Sequence, residues 1–127
     1  MKPDEISALN LAYMGDAVYS EMVRKYLVLS GDYPVGVLTK KAISYVSAKE
    51  QAAVMHAMLD DGFLTEEELQ VYHRGRNAHP NSTAKHTDPV TYRVATGFES
   101  VIGWLFLSGK EERLNEIWDY IGTKRGG

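Results

Sequence analysis

Two acidic residues of this chain stand where a charge is costly. Asp16 lies in Tyr13-Met14-Gly15-Asp16-Ala17-Val18, seven residues after Leu9 and three after Tyr13. Helical spacing therefore puts it along an apolar stripe, where a carboxylate must be hydrogen-bonded or hold a metal ion. Glu99 repeats the pattern in Ala95-Thr96-Gly97-Phe98-Glu99-Ser100-Val101-Ile102-Gly103, with Thr96, Ile102 and Gly103 as its helical neighbours. Glycines accompany both acids. A glycine inside a helix is about 1 kcal/mol worse than alanine and often marks close approach by another backbone or a ligand. Two carboxylates on such helices can converge on one hard cation. Magnesium suits this, since it keeps several waters and takes one or two protein carboxylates. Two unrelated buried acids, each with its own partner, fit the spacing equally well.

The second chemical feature is an uneven charge distribution. Fourteen basic residues stand against 17 acidic ones, for a net charge of −3, which by itself argues against a polyanionic partner. Locally the balance differs. From Asp60 to Glu68 there are five acids and no base, whereas Tyr72 to Arg93 holds Arg74, Arg76, Lys85 and Arg93 opposed only by Asp88. That segment is where an anionic partner would sit. An ordinary solvated loop is the competing reading for each of the four, and a solvated helix face explains Lys40, Lys41 and Lys49 equally well. His73, His79 and His86 follow no usual metal-ligand spacing and read as surface or partner-facing groups. His56, beside Met55 and Met58, reads as structural. There is no cysteine, so disulfides, thiolate metal sites and cysteine nucleophiles are excluded.

These residues need elements to position them. With 127 residues, 44% hydrophobic and 24% charged, the chain has the size and composition of one globular domain, 1–127, with 122–127 as a frayed tail. Prolines stand only at 3, 34, 80 and 89, which leaves long runs open to helix. The first run, capped by Asp4, carries Leu11, Met14, Val18 and Met22 at helical spacing, and Leu9, Tyr13, Val23 and Tyr26 as a second stripe. It should be buried on two faces and stop at Ser30-Gly31 in a left-handed cap. The second run, Val35 to Leu59, allows a break near Val46-Ser47. Thr65 to Glu68 is a capping box opening a short helix toward His73, and 74–88 reads as a loop. Asp88-Pro89 starts a helix running to about Leu107, with Gly109 ending it and a last helix over Glu111 to Ile121. No strand-period segment competes, so the fold should be all-α.

The longest apolar stretch, Val101 to Leu107, has seven residues, far below the roughly 18 a membrane span needs. Met1-Lys2-Pro3-Asp4-Glu5 lacks the apolar core of a secretory signal. No membrane partner and a cytoplasmic location are the expectation.

Tyr13-Met14-Gly15-Asp16-Ala17-Val18 resembles the signature helix of ribonuclease III, and Phe98-Glu99-Ser100-Val101-Ile102-Gly103 resembles that family's second catalytic helix. Val46-Ser47-Ala48-Lys49, Arg74-Gly75-Arg76-Asn77-Ala78 and Thr91-Tyr92-Arg93 narrow the likeness to the short bacterial branch, Mini-ribonuclease III, over roughly residues 6 to 121. The resemblance implies the ribonuclease III endonuclease-domain helical fold. It implies a Mg²⁺-dependent endoribonuclease that cuts double-stranded RNA to 5′-phosphate and 3′-hydroxyl ends and matures the 23S ribosomal RNA precursor. By position, Asp16 and Glu99 become the catalytic metal ligands; Arg74, Arg76, Lys85 and Arg93, clustered in the basic segment, are the candidate RNA-phosphate contacts. The larger enzymes carry further acids where this chain has Ala12, Thr96, Leu9 and Val35, so the resemblance implies one well-held Mg²⁺.

The family is dimeric, and the apolar surface of the first helix permits a homodimer. A ribosomal protein is a further candidate partner. A catalytically silent double-stranded-RNA-binding scaffold on the same fold is the alternative, made thinkable by Ala12 and Thr96. An all-α dimerisation module without RNA is a third reading. Retention of both Asp16 and Glu99 speaks against the scaffold, and the basic 74–93 segment against the module.

Overall fold

The computed structural model describes residues 1–78 and 88–125, and within them every regular element is helical. A 3₁₀ turn at Pro3–Glu5 precedes α1 (Ala8–Ser30), α2 (Val35–Val46), α3 (Ala48–Asp60), α4 (Glu66–Asn77), α5 (Pro89–Leu107) and α6 (Glu111–Lys124). The all-α expectation holds. Among the described residues, no helix is long and apolar enough to cross a membrane.

Local chemistry explains most boundaries. Ser47 ends α2 and caps α3, its hydroxyl accepting from the Glu50 N–H, which places the break where spacing allowed it. Thr65 and Glu68 form the reciprocal capping box. Asp88 accepts from the Thr91 N–H with Pro89 at the first helical position, and Gly109 turns the chain at φ 73° after α5.

Three expectations about ends and faces need correction. Asp4 does not cap α1; Ser7 does, while Asp4 accepts a 2.8 Å hydrogen bond from the Trp104 indole. Gly31 is extended, at φ 175°, and does not form a left-handed cap. The second stripe of α1 is not a buried face. Val23 is buried, but Tyr13 is 85% exposed and Leu9 and Tyr26 are also open to solvent.

The loop expected over 74–88 also starts late, since α4 continues through Asn77. Its acidic first turn (Glu66, Glu67, Glu68) and basic last turn (Arg74, Arg76) complement the helix dipole at both ends. Gly75 does not break it, because that glycine is a contact point. A Cβ there would fall 2.9 Å from the Gly97 Cα of α5.

The architecture is organised around α5. It packs against α1, α3, α4 and α6, and nearly every residue from Val94 to Leu105 is buried. A helix surrounded on all sides must be apolar on all sides, which its sequence is. Glu68 is buried too, and Arg113 of α6 pairs with it through Nε and Nη2, each at 2.8 Å, while also donating to the Phe63 carbonyl.

The α1–α5 crossing is backbone against backbone. A Cβ on Gly15 would lie 2.8 Å from the Gly103 nitrogen, and a Cβ on Gly103 would lie 2.9 Å from the Gly15 nitrogen. Neither can be accommodated without separating the helices, because the obstructing atoms are main chain. We expect Gly15→Ala and Gly103→Ala each to destabilise by about 1–3 kcal/mol or more through overpacking. Gly122→Ala in α6, where nothing lies within 4 Å, should instead stabilise by up to about 1 kcal/mol. Urea denaturation of the three variants checks this; equal effects would mean the crossing tolerates a methyl group.

Candidate active site

The crossing decides where the two acids meet. Asp16 follows Gly15 on α1, and Glu99 stands one helical turn before Gly103 on α5, so contact between the glycines brings the carboxylates face to face. The environments differ. Asp16 is exposed, whereas Glu99 is mostly withdrawn from solvent. The expectation that Asp16 lies in a buried apolar stripe is thus wrong in detail. Its stripe, with Leu9 and Tyr13, is the outer face of α1, and it is the neighbouring Glu99 that bears the cost of burial.

That cost shows in the protonation of Glu99. Loss of water around the carboxyl, together with hydrogen bonding to and repulsion from Asp16, pushes its pKa up to about 8; a donor on Gln51 works weakly in the opposite direction. Among the described residues, no lysine, arginine or histidine is paired with either acid. Two facing carboxylates without a cationic side chain are a donor set that a hard divalent cation fits. No group of three or more potential metal-ligating side chains occurs among the described residues. The positions Ala12 and Thr96 are buried, and the Thr96 hydroxyl is already donated to the Tyr92 carbonyl, so neither adds a ligand.

The sequence reading did not single out Gln51, which the structure puts beside Glu99. Its Nε2 donates to Glu99 Oε2 at 3.4 Å and to the Val46 carbonyl at 3.0 Å. A signal was present. Gln51 stands three, four and seven residues before Val54, Met55 and Met58, a polar residue in line with a buried stripe.

The basic residues are dispersed over two helices. Arg74 and Arg76 are exposed at the end of α4, and Arg93 is exposed near the start of α5. Because Gly75 sits against Gly97 and Ser100, the two α4 arginines are carried to the level of Glu99 along α5. Arg74 also has a structural bond, Nη2 to the Ile6 carbonyl at 2.8 Å. Lys85, His79 and His86 lie outside the described residues. His73 is exposed as expected, and His56 is exposed on α3 instead of serving the core.

The Ribonuclease III domain model matches residues 9–110 of this helical arrangement. A Fusobacterium nucleatum protein of known crystal structure shares the fold with a TM-score of 0.84 and 30% identity, over 92% of this chain and 93% of that one. The Mini-ribonuclease 3 of Enterococcus faecalis is 49% identical over 122 residues, 96% of this chain and 92% of its own length. That of Brevibacillus brevis is 50% identical over 115 residues, 91% and 84% respectively. The chain belongs to the Mini-ribonuclease 3 family, and it is an endoribonuclease.

The raised pKa of Glu99 has a thermodynamic consequence. Between the ordinary carboxyl value of 4.5 and about 8 the folded protein holds a proton that the unfolded chain has lost. Stability of the metal-free protein should therefore fall as pH rises through that window. Glu99→Gln should flatten this part of the profile, as measured by urea denaturation in EDTA. A wild-type profile no steeper than that of the variant would show that Glu99 titrates as an ordinary surface acid.

Proposed function

We propose that the chain hydrolyses phosphodiester bonds of double-stranded RNA at the Asp16–Glu99 pair, with Mg²⁺ as cofactor, and that it matures the 23S ribosomal RNA precursor in the cytoplasm. The observation that carries this reading is the meeting of two carboxyl groups, with no cationic partner among the described residues, at the Gly15–Gly103 crossing. Its setting is a chain 49% identical to a Mini-ribonuclease 3 over nearly its whole length.

Asp16 and Glu99 would hold the cation. Bound there, Mg²⁺ would polarise the scissile phosphate, lower the pKa of the attacking water and stabilise the leaving 3′-oxygen. The protein's own contribution is placement. Asp16 presents its carboxylate to solvent, where RNA arrives, and Glu99 is fixed from behind by Gln51. Glu99 must give up its proton to act as a ligand, so cation binding and proton release are coupled. With Ala12 and Thr96 buried and offering no carboxylate, one cation per site is the natural count.

Arg74, Arg76 and Arg93, with Lys85, are the phosphate contacts of this reading. A-form RNA is recognised largely by shape, through phosphates and 2′-hydroxyls, and exposed arginines at the level of the acids suit that task. Cutting both strands requires two sites. The outer face of α1, where Tyr13 is 85% exposed one turn from Asp16, would pack against a second copy of the chain. Sedimentation at micromolar concentration, with Tyr13→Ala beside the wild type, tests that dimer. A ribosomal protein bound to the precursor is the further partner such a substrate would bring. Ala12 and Thr96 are what a silent RNA-binding scaffold would rest on; against it, both Asp16 and Glu99 are present and face each other.

The decisive test is cleavage of a long RNA duplex. Asp16→Asn and Glu99→Gln should each reduce the rate at least about 100-fold while leaving duplex binding intact. The double variant should be little worse than either single one, because the pair acts as a unit. Near-normal cleavage by Asp16→Asn in Mg²⁺ would refute the assignment.

Salt dependence tests the arginines. Arg76→Ala and Arg93→Ala should each lower the magnitude of the log K versus log salt slope for duplex binding by about 1. Arg74→Ala should do the same and also lower the melting temperature, through the lost bond to Ile6. An unchanged slope would mean that these side chains face only solvent.

A further inference from the structure

Gln51 is 2% exposed, yet it is the one buried side chain among the described residues with a polar atom left without a partner, its Oε1. Its orientation is nonetheless determined. Nε2 donates to two acceptors, the Val46 carbonyl at 3.0 Å and Glu99 Oε2 at 3.4 Å, and reversing the amide would set Oε1 against both. A buried acceptor without a donor is costly to the fold, and an apolar residue would continue the stripe formed by Val54, Met55 and Met58 without that cost. Stability alone therefore does not account for an amide at this position.

We infer that Gln51 is a positioning residue for Glu99, an inference that rests on the reading of Asp16 and Glu99 as the cation-holding pair. The side chain of Glu99 has three torsions, and a bond to Oε2 restricts them with the carboxylate turned to Asp16. The chemistry of the donor matters. A lysine or arginine at this position would also fix Glu99, but it would neutralise the charge that attracts the cation. An amide supplies the hydrogen bond without a charge of its own, so the carboxylate offers its full negative charge once the proton leaves. The second bond, to Val46 at the end of α2, anchors the amide to backbone, so that the carboxylate is tied to a rigid part of the fold.

The rival explanation is that Gln51 only satisfies the Val46 carbonyl. Two measurements separate them. In the first, Mg²⁺ affinity is measured by calorimetry for the wild type and for Gln51→Met, which keeps the size of the side chain and removes the amide. The dissociation constant should rise about 10-fold, within the 10- to 100-fold range typical of lost outer-shell partners. In duplex cleavage at fixed Mg²⁺, kcat should fall while KM for RNA stays the same. A lowered melting temperature with Mg²⁺ affinity within two-fold of wild type would overturn the inference in favour of the capping role.

The second measurement needs no variant at position 51. The side-chain amide resonances of Gln51 in the ¹⁵N-labelled protein should shift on addition of Mg²⁺, and should fail to shift in Asp16→Asn. If the backbone amides of Gly15 and Gly103 respond to Mg²⁺ while the Gln51 amide does not, this inference alone is wrong. If nothing near the pair responds, the reading of the pair itself is overturned and this inference with it.

Discussion

Everything specific about this molecule depends on one steric fact: α1 and α5 touch through their main chains. Side chains normally keep helix axes 8–10 Å apart, and removing the Cβ at the contact lets them come closer. Gly15 and Gly103 do this reciprocally: a Cβ on Gly15 would run into the Glu99 carbonyl and the Gly103 nitrogen, and one on Gly103 into the Leu11 carbonyl and the Gly15 nitrogen. The same device recurs where Gly75 and Gly97 bring α4 against α5. Glycine costs helix stability at each position, and the return is that side chains flanking the contact are carried to places a conventional packing distance would not allow. Asp16 and Glu99 flank the first contact; Arg74 and Arg76 flank the second.

Closeness of this kind creates an electrostatic problem that the fold does not itself resolve. Glu99 is withdrawn from water beside another carboxylate, and among the described residues the one side-chain bond to it that acts the other way comes from a neutral amide. The contrast with Glu68 is instructive. That carboxylate is also buried, but Arg113 pairs with it and the Thr65 N–H donates to it, a complete set of partners for a structural acid. Glu99 has been left short of positive charge, and its proton at neutral pH is the stand-in. An acid kept in that state is poised to exchange the proton for a cation.

Charge on the surface follows a related division. The acidic start and basic end of α4 suit the helix dipole, so these residues serve the helix whether or not a polyanion binds. Two uses of the same arginines are compatible. Arg74 ties the end of α4 to the N-terminal segment through Ile6 and still leaves positive charge exposed at the end of that helix. The net charge of −3 is then no obstacle to RNA binding, because the field at a groove depends on nearby charges more than on the sum.

By itself the sequence determined the helices and most of their boundaries, and it singled out the two acids that the fold brings together. Those properties are local: periodicity of apolar residues, capping chemistry at Ser47, Thr65 and Asp88, and glycines beside Asp16 and Glu99. It misjudged which face of α1 points inward, because two apolar stripes look alike until a neighbour covers one of them, and α5 covers the Leu11–Gly15–Val18 side. It also ended α4 early, reading 74–88 as a loop, when Gly75 lies inside the helix as a contact with α5. Only the tertiary structure decided that Glu99 and not Asp16 bears the burial, and that Gln51, 48 residues away in the chain, stands behind it. Burial and pairing at such separations are properties of packing between helices, and no spacing within one helix encodes them.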